Sequence, residues 1–180
     1  MPTFKPFEQI SEYDVINLFA YTGAFPVNKG TFVKAAGSGF VPSANMELMG
    51  GLGATYANTV STRWGNPAKV GPVTSSGDAT LGFLRYDGKE TDENGEKFVY
   101  NPRKAAEQEV FISGQTAPIV RRGLVLYSGI GGTPAANAAA YLDNGGGLNT
   151  SGGSSSTATK VGQFLSAKDQ YNCALVFIDV

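Results

Sequence analysis

The chain has 180 residues, of which 42% are hydrophobic and only 16% are charged, with 14 basic against 15 acidic residues for a net charge of -1. This length suits one domain with a sizeable core, and the low charge excludes a chain that is disordered throughout. The balanced charge also argues against nucleic-acid and membrane partners, because it provides no broad cationic field for phosphate groups.

The histidine and cysteine counts limit the available chemistry. The chain contains no histidine, and Cys173 is its only cysteine. These counts exclude an intrachain disulfide, a zinc site of cysteine and histidine, and a nucleophile activated by histidine. We therefore expect no enzyme activity, no cofactor, no metal site and no catalytic residues.

Residues 1–29 are predicted to form an extended N-terminal arm. Six of the 20 aromatic residues lie in it, and Pro2, Pro6 and Pro26 interrupt any regular period apart from a turn of helix near 11–19. Such an aromatic segment is expected to pack either on its own core or on another subunit. The candidate capsid or subunit contacts are its aromatic side chains: Phe4, Phe7, Tyr13, Phe19, Tyr21 and Phe25.

Residues 30–180 are predicted to form a single β-rich domain. The 24 glycines and 9 prolines cut the chain into short segments, which are typical of strands and turns rather than of long helices. The segments predicted as strands are 31–33, 60–64, 68–70, 79–86, 97–100, 108–112, 119–127, 160–165 and 171–180.

Turn residues predict how some of these strands pair. The Asn94-Gly95 pair predicts a hairpin between the strands on either side of it. Turn chemistry at 113–115 predicts that strands 108–112 and 119–127 are antiparallel neighbours. Pro118 is expected at the start of its strand or at an edge, because it has no N–H to donate to the ladder.

The last third of the chain carries a helix signal, a loop signal and a strand signal. A helix is predicted over 135–142, with Thr133 as N-cap and Pro134 at its first position. The Gly/Ser-rich stretch 143–159 is predicted to be a flexible loop. Residues 173–178 are apolar on both faces of a strand, which places them inside a sheet or barrel.

The fold prediction is mainly β: a small β-barrel or sandwich with one short helix and the N-terminal arm.

The acidic residues do not assemble a recognisable site. Eight of the 15 carboxylates lie between positions 78 and 109, interleaved with basic residues, a pattern typical of a solvated surface. Residues 87–96 do not match a calcium-binding loop, and the glycine clusters at 50–53 and 129–132 match no nucleotide-binding motif. An enzyme with a carboxylate pair, such as a glycosidase, is the third-ranked hypothesis.

Three blocks of sequence carry a family resemblance. They are VGPV with GDATLGFLRYD at 70–87, VFISGQ with the following strand at 110–125, and KVGQFL at 160–165 with the closing strand. These blocks resemble the capsid decoration, or cement, proteins of tailed bacteriophages, whose small β-barrel or β-tulip domain follows an extended N-terminal arm. The resemblance covers residues 70–180.

The resemblance implies a structural virion protein without catalysis or cofactor. Such a protein is made in the host cytoplasm, binds the outer surface of an icosahedral capsid and forms trimers at local three-fold axes. It stabilises the shell by bridging subunits of the major capsid protein. Deletion of residues 2–16 is then expected to leave a folded domain that no longer coats shells. The alternative is a tail, fibre or adhesion module that binds a host-surface carbohydrate or receptor.

Overall fold

The computed structural model describes residues 2–36, 69–113, 115–152 and 158–180. Within these residues the protein is mainly β, with two mixed sheets of seven and six strands, a two-stranded pair and one short α-helix. The mainly β prediction is confirmed. The barrel alternative is wrong for the described ranges, because their strands form open sheets that do not close.

The strands are short, as the density of glycine and proline predicts. In chain order they are β1 (Thr3–Pro6), β2 (Val15–Ile16), β3 (Ala20–Tyr21), β4 (Phe32–Ala36), β5 (Lys69–Pro72), β6 (Gly82–Leu84), β7 (Asp87–Gly88), β8 (Val110–Phe111), β9 (Ile119–Val120), β10 (Arg122–Ser128), β11 (Ile130–Gly131), β12 (Ala139–Leu142), β13 (Leu148–Asn149), β14 (Lys160–Phe164) and β15 (Ala174–Asp179). Helix α1 spans Pro102–Glu107, and 3₁₀ helices span Glu12–Asp14 and Phe98–Tyr100.

The two large sheets differ in their strand order. The first sheet has the order β1-β10-β15-β14-β12-β13-β11, and its pairs are antiparallel except for β11 with β13. The second sheet has the order β2-β9-β6-β4-β5-β3, and its pairs are antiparallel except for β3 with β5. Strands β7 and β8 form a separate parallel pair.

Aromatic side chains from both sheets meet in one core. The Phe4 ring from β1 packs edge-to-face on the Phe83 ring from β6, with centroids 4.9 Å apart. Phe32 of β4 contacts both Phe83 and Tyr127 of β10, at 5.7 and 6.3 Å. The Tyr127 hydroxyl, fully buried, donates a hydrogen bond to the Gly30 carbonyl at 2.7 Å. These contacts hold the inner face of the first sheet against the second sheet.

The second sheet is buried on its other face as well. Because side chains alternate along a strand, Val33, Leu84 and Ile119 point away from the shared core and join a second apolar cluster. Tyr21 and Phe25 from the N-terminal segment and Phe111 from β8 cover this face, with ring centroids 5.6 to 6.0 Å apart. The N-terminal segment therefore contributes to the core of the same domain.

The closing strand confirms the sequence prediction. Strand β15 is paired on both sides, with β10 and β14, and Ala174, Val176 and Ile178 are fully buried. Pro118 lies directly before β9, as its missing N–H predicts. The predicted strand at 60–64 lies outside the described residues.

The helix prediction over 135–142 is wrong. Residues Ala139–Leu142 form β12, which pairs with β14 and β13. Asn137 has φ of 68°, which breaks a helix, and its N–H donates to the Phe164 carbonyl. Pairing in the sheet and burial of Ala140 outweigh the helix propensity of alanine, while the α-helix lies at Pro102–Glu107 with proline in its first turn.

Of the two pairing predictions, one is wrong and the other holds in part. Strand β8 pairs with β7, whereas β9 and β10 pair with other strands, so 108–112 and 119–127 are not neighbours. The turn at Asn94-Gly95 forms, with Gly95 at φ 83°. An antiparallel bridge joins Thr91 to Lys97 across this turn, but residues Phe98–Tyr100 form a 3₁₀ helix rather than a strand.

The stretch 143–159, predicted as a flexible loop, contains a tight turn and a short strand in the part that the structure describes. Residues 143–147 make a tight turn in which Gly145 and Gly146 have φ of 91° and 80°. The carbonyl of Gly146 accepts a hydrogen bond from Phe32 N–H at 2.9 Å, and the chain continues into β13. Residues 153–157 lie outside the described ranges.

Asp78 ties the turn at 74–78 to β4. Its Oδ2 atom accepts hydrogen bonds from Lys34 Nζ at 2.7 Å and from the backbone N–H groups of Thr74 and Ser75 at 3.1 and 3.0 Å. The hydrogen bond from Lys34, followed by those from the backbone, holds the pKa of Asp78 well below its ordinary value. The stability that the charged form contributes is therefore complete above the pKa of the unfolded chain, and it is lost as the pH falls through the lower pKa of the folded protein.

Substitution of Asp78 by asparagine is expected to lower stability at neutral pH. The difference in the free energy of unfolding between this variant and the unmodified protein should shrink as the pH falls below about 4, the ordinary pKa range of a carboxylic acid. Urea unfolding at neutral and acidic pH measures this. The control Glu93→Gln removes an exposed carboxylate that accepts no hydrogen bond within the described chain. If the stability of both variants depended on pH in the same way, the stabilising role of the Asp78 carboxylate would be contradicted.

Lys168 covers the free edge of the first sheet at β11. The Gly131 carbonyl points to the neighbouring strand and accepts a hydrogen bond from Thr150 N–H. The carbonyls of Ile130 and Gly132 both accept from Lys168 Nζ, at 2.9 and 2.7 Å. Since successive carbonyls of a strand point to opposite sides, these two belong to the free edge.

Candidate interaction surface

The six aromatic residues predicted as contacts divide into buried and exposed groups. Phe4 and Tyr21 are 3% and 5% exposed, and Phe19 and Phe25 are half-buried in the second cluster. Phe7 and Tyr13 are 57% and 99% exposed. Strands β1, β2 and β3 join residues 2–21 to both sheets. Of the predicted set, Phe7 and Tyr13 are therefore the two that present most of their surface to a partner.

Phe7 and Tyr13 lie on one connection between the two sheets. Residues 7–14, called here the crossover loop, run from β1 at the edge of the first sheet to β2 at the edge of the second. The loop follows the chain that crosses between β9 and β10. Phe7 N–H donates to the Leu124 carbonyl at 3.0 Å, and Arg121 N–H donates to the Asp14 carbonyl at 2.8 Å. Both ends of the loop are thus fixed to the sheets.

Local hydrogen bonds hold Tyr13 in place. Ser11 precedes the 3₁₀ helix as its N-cap, and its Oγ accepts from Tyr13 N–H at 3.3 Å. Asp14 N–H donates to the Ser11 carbonyl at 3.1 Å. The side chain of Ile10 packs against the shared core from the same loop. The loop is therefore anchored from inside while Tyr13 projects into solvent.

The crossover loop is acidic. It carries Glu8, Glu12 and Asp14, and the sequence has no lysine or arginine between Lys5 and Lys29. None of the three carboxylates forms an ion pair with any residue that the structure describes. The negative charge of the loop is therefore not offset by an ion pair with any described residue.

A groove of about 330 Å³ separates the crossover loop from the outer face of the first sheet. Its floor includes Leu124 of β10 and Phe177 of β15, which are partners in the register, together with Leu165, which is 40% exposed. Glu8 and Asp14 line the loop side. Sequence reasoning identified the loop aromatics but not these groove residues. The signal that could have found them is the second apolar face of β15, which includes Phe177.

Other large apolar side chains are exposed away from this loop. Val99 and Tyr100 lie on the 3₁₀ helix after the acidic turn and are 58% and 78% exposed. Tyr171 lies in the turn between β14 and β15 and is 75% exposed. These residues offer matched controls for substitutions in the crossover loop.

The acidic turn at 92–96 has a structural role. Asp92 accepts hydrogen bonds from the N–H groups of Asn94 and Glu96, both at 2.8 Å, and forms an ion pair with Lys104 of α1. The hydrogen bond between the two side chains lowers the pKa of Asp92 and raises the pKa of Lys104. These contacts join the turn to the helix.

Across the described ranges, no group of three or more histidine, cysteine, aspartate or glutamate residues is placed to hold a metal ion. No helix there is long and apolar enough to cross a membrane. Comparison of the chain with protein-family models and with curated proteins gives no match.

Proposed function

We propose that this protein is a structural virion component that binds the outer surface of an icosahedral phage capsid. In this proposal it bridges major capsid protein subunits, as a trimer at local three-fold axes, and has no catalytic role. Tyr13 carries the proposal, because an aromatic ring that is 99% exposed sits on a loop fixed at both ends. The resemblance of residues 70–180 to decoration proteins supports it independently, and the two-sheet fold is compatible with their β-tulip domain.

The anchoring of the crossover loop suits such a contact. Aromatic side chains are enriched among the residues that dominate binding energy at interfaces. A loop that is already fixed loses little conformational freedom on binding, so more of the contact energy remains for affinity. A trimer on a shell engages several sites together, and this avidity strengthens an individually weak contact.

Substitution of Tyr13 by alanine is expected to weaken capsid binding about 30-fold, which corresponds to the loss of one interface hot spot of about 2 kcal/mol. The measurement is co-sedimentation of purified protein with shells that lack it, over a range of protein concentrations. Tyr171→Ala is the matched control, because Tyr171 is also exposed but lies in another turn. Equal binding by Tyr13→Ala and the unmodified protein would contradict the role of the loop.

The number of copies of this protein on each virus particle tests whether it decorates the shell. A number comparable with that of the major capsid protein supports decoration of the shell. A handful of copies per particle would favour the second candidate, a tail, fibre or adhesion module. The exposure of Tyr100 and Tyr171 supports that candidate, because tyrosine combines an apolar ring with a hydroxyl and is enriched at binding interfaces. Pull-down with cell-wall material distinguishes the two.

A further inference from the structure

The groove beside the crossover loop indicates what kind of shell segment the protein would bind. Resting on the proposed function, we infer that this groove receives a segment of the major capsid protein that is apolar and carries lysine or arginine. The inference combines the apolar floor with the unpaired charge on the loop side.

The floor provides the apolar half of the contact. Leu124 and Phe177 lie opposite each other on adjacent strands, so their side chains form a continuous surface on the outer face of the sheet. The Arg122 guanidinium lies over the Phe177 ring, 5.5 Å from its centroid. Leu165 extends the surface and is 40% exposed. Covering these side chains would remove apolar area from water.

The charge on the two sides of the groove is unequal. Glu8 and Asp14 line the loop side without an ion-pair partner among the described residues. Arg122, a cation on the sheet side, already contacts the Phe177 ring and lies 4.0 Å from Asp179. The lining thus holds two carboxylates and one guanidinium, an excess of one negative charge, which complements a partner segment with lysine or arginine and disfavours an acidic one.

Reversing the charge of the groove tests whether its carboxylates attract a basic segment of the partner. The double variant Glu8→Lys, Asp14→Lys is expected to weaken binding to shells at least about tenfold at low salt, because it places like charges together. The difference should shrink at high salt, because exposed charges are screened beyond about 10 Å at 0.1 M ionic strength. The control Glu90→Lys, Glu93→Lys changes the net charge equally at an exposed site elsewhere and should bind like the unmodified protein.

Substitution of Leu165 by serine tests the apolar contact between the groove and the partner segment. It should weaken binding at both salt concentrations, because the lost contact is not electrostatic. Circular dichroism and thermal unfolding of each variant verify that it is folded.

The outcomes separate the inference from the proposed function. If Tyr13→Ala loses binding while charge reversal and Leu165→Ser retain it, the decoration role holds and the groove inference is wrong. If charge reversal alters the oligomeric state in sedimentation but not shell binding, the occupant is a second copy, and the inference is also wrong. If the unmodified protein binds no shells, the proposed function fails and the inference fails with it.

Discussion

Replacement of Phe4 by alanine is expected to lower the free energy of unfolding by about 3–5 kcal/mol, the usual cost of removing a buried aromatic ring. Phe4 is 3% exposed and is the one buried residue of β1. Its ring fills the space beside Phe83 in the shared core. The truncation removes apolar contacts and leaves a cavity that the two sheets cannot easily close.

Phe7→Ala is the matched control for this prediction. Phe7 follows directly after β1 but is 57% exposed, so its truncation should change stability by less than about 1 kcal/mol. Denaturant unfolding followed by circular dichroism measures both variants. Similar losses for Phe4→Ala and Phe7→Ala would show that β1 does not belong to the core.

The position of Phe4 changes how the capsid contact should be tested. Deletion of residues 2–16 would remove all of β1 and β2, one edge strand from each sheet. The structure therefore contradicts the expectation that this deletion leaves the domain intact, and loss of shell binding after it would not identify a contact. Substitution of Tyr13, which is almost fully exposed, avoids this problem.

Replacement of Gly162 by alanine is expected to destabilise the protein by about 3 kcal/mol or more, the upper part of the range for overpacking. A Cβ atom at Gly162 would lie 2.1 Å from the Phe177 carbonyl oxygen and 3.1 Å from the Ile178 Cα atom. Both atoms belong to the backbone of β15, which is paired on both sides within the first sheet, so the clash can be relieved only if the sheet itself moves.

Gly123→Ala provides a control in the same sheet. Gly123 and Gly162 are register partners of Ile178 on its two sides. A Cβ atom at Gly123 would meet only the Ile10 side chain, at the ordinary contact distance of 3.6 Å. Its substitution should therefore change stability by about 1 kcal/mol or less. Thermal and denaturant unfolding compare the two variants, and equal effects would contradict the backbone clash.

The sequence predicted strands where apolar or β-branched runs were dense enough to dominate. The closing strand and the position of Pro118 follow from side-chain alternation and from the missing proline N–H. The helix over 135–142 failed because alanine propensity is a local quantity, whereas β12 is stabilised by pairing with β14, whose partner residues lie 19 to 24 positions further along the chain. The pairing of β8 with β7 depends on equally non-local contacts.

The candidate surface could be predicted only in part. An aromatic-rich segment indicated contacts, but composition cannot say which rings face inward: Phe4 faces the core from within β1, whereas Phe7 follows directly after the strand and is exposed. The groove requires Leu124 and Phe177 to be side by side, and their separation of 53 residues hides this from any local pattern. The acidic loop was visible in sequence, but its lack of partners was not.

Lys168 has a consequence for the solubility of the folded chain. An open sheet edge offers its carbonyls to the N–H groups of any extended chain nearby, and such growth has no natural end. At β11 one ammonium group already occupies both outward carbonyls, of Ile130 and Gly132. A neighbouring strand would have to displace a charge before gaining its first hydrogen bond. Lys168 therefore disfavours pairing of this edge with a strand of another molecule.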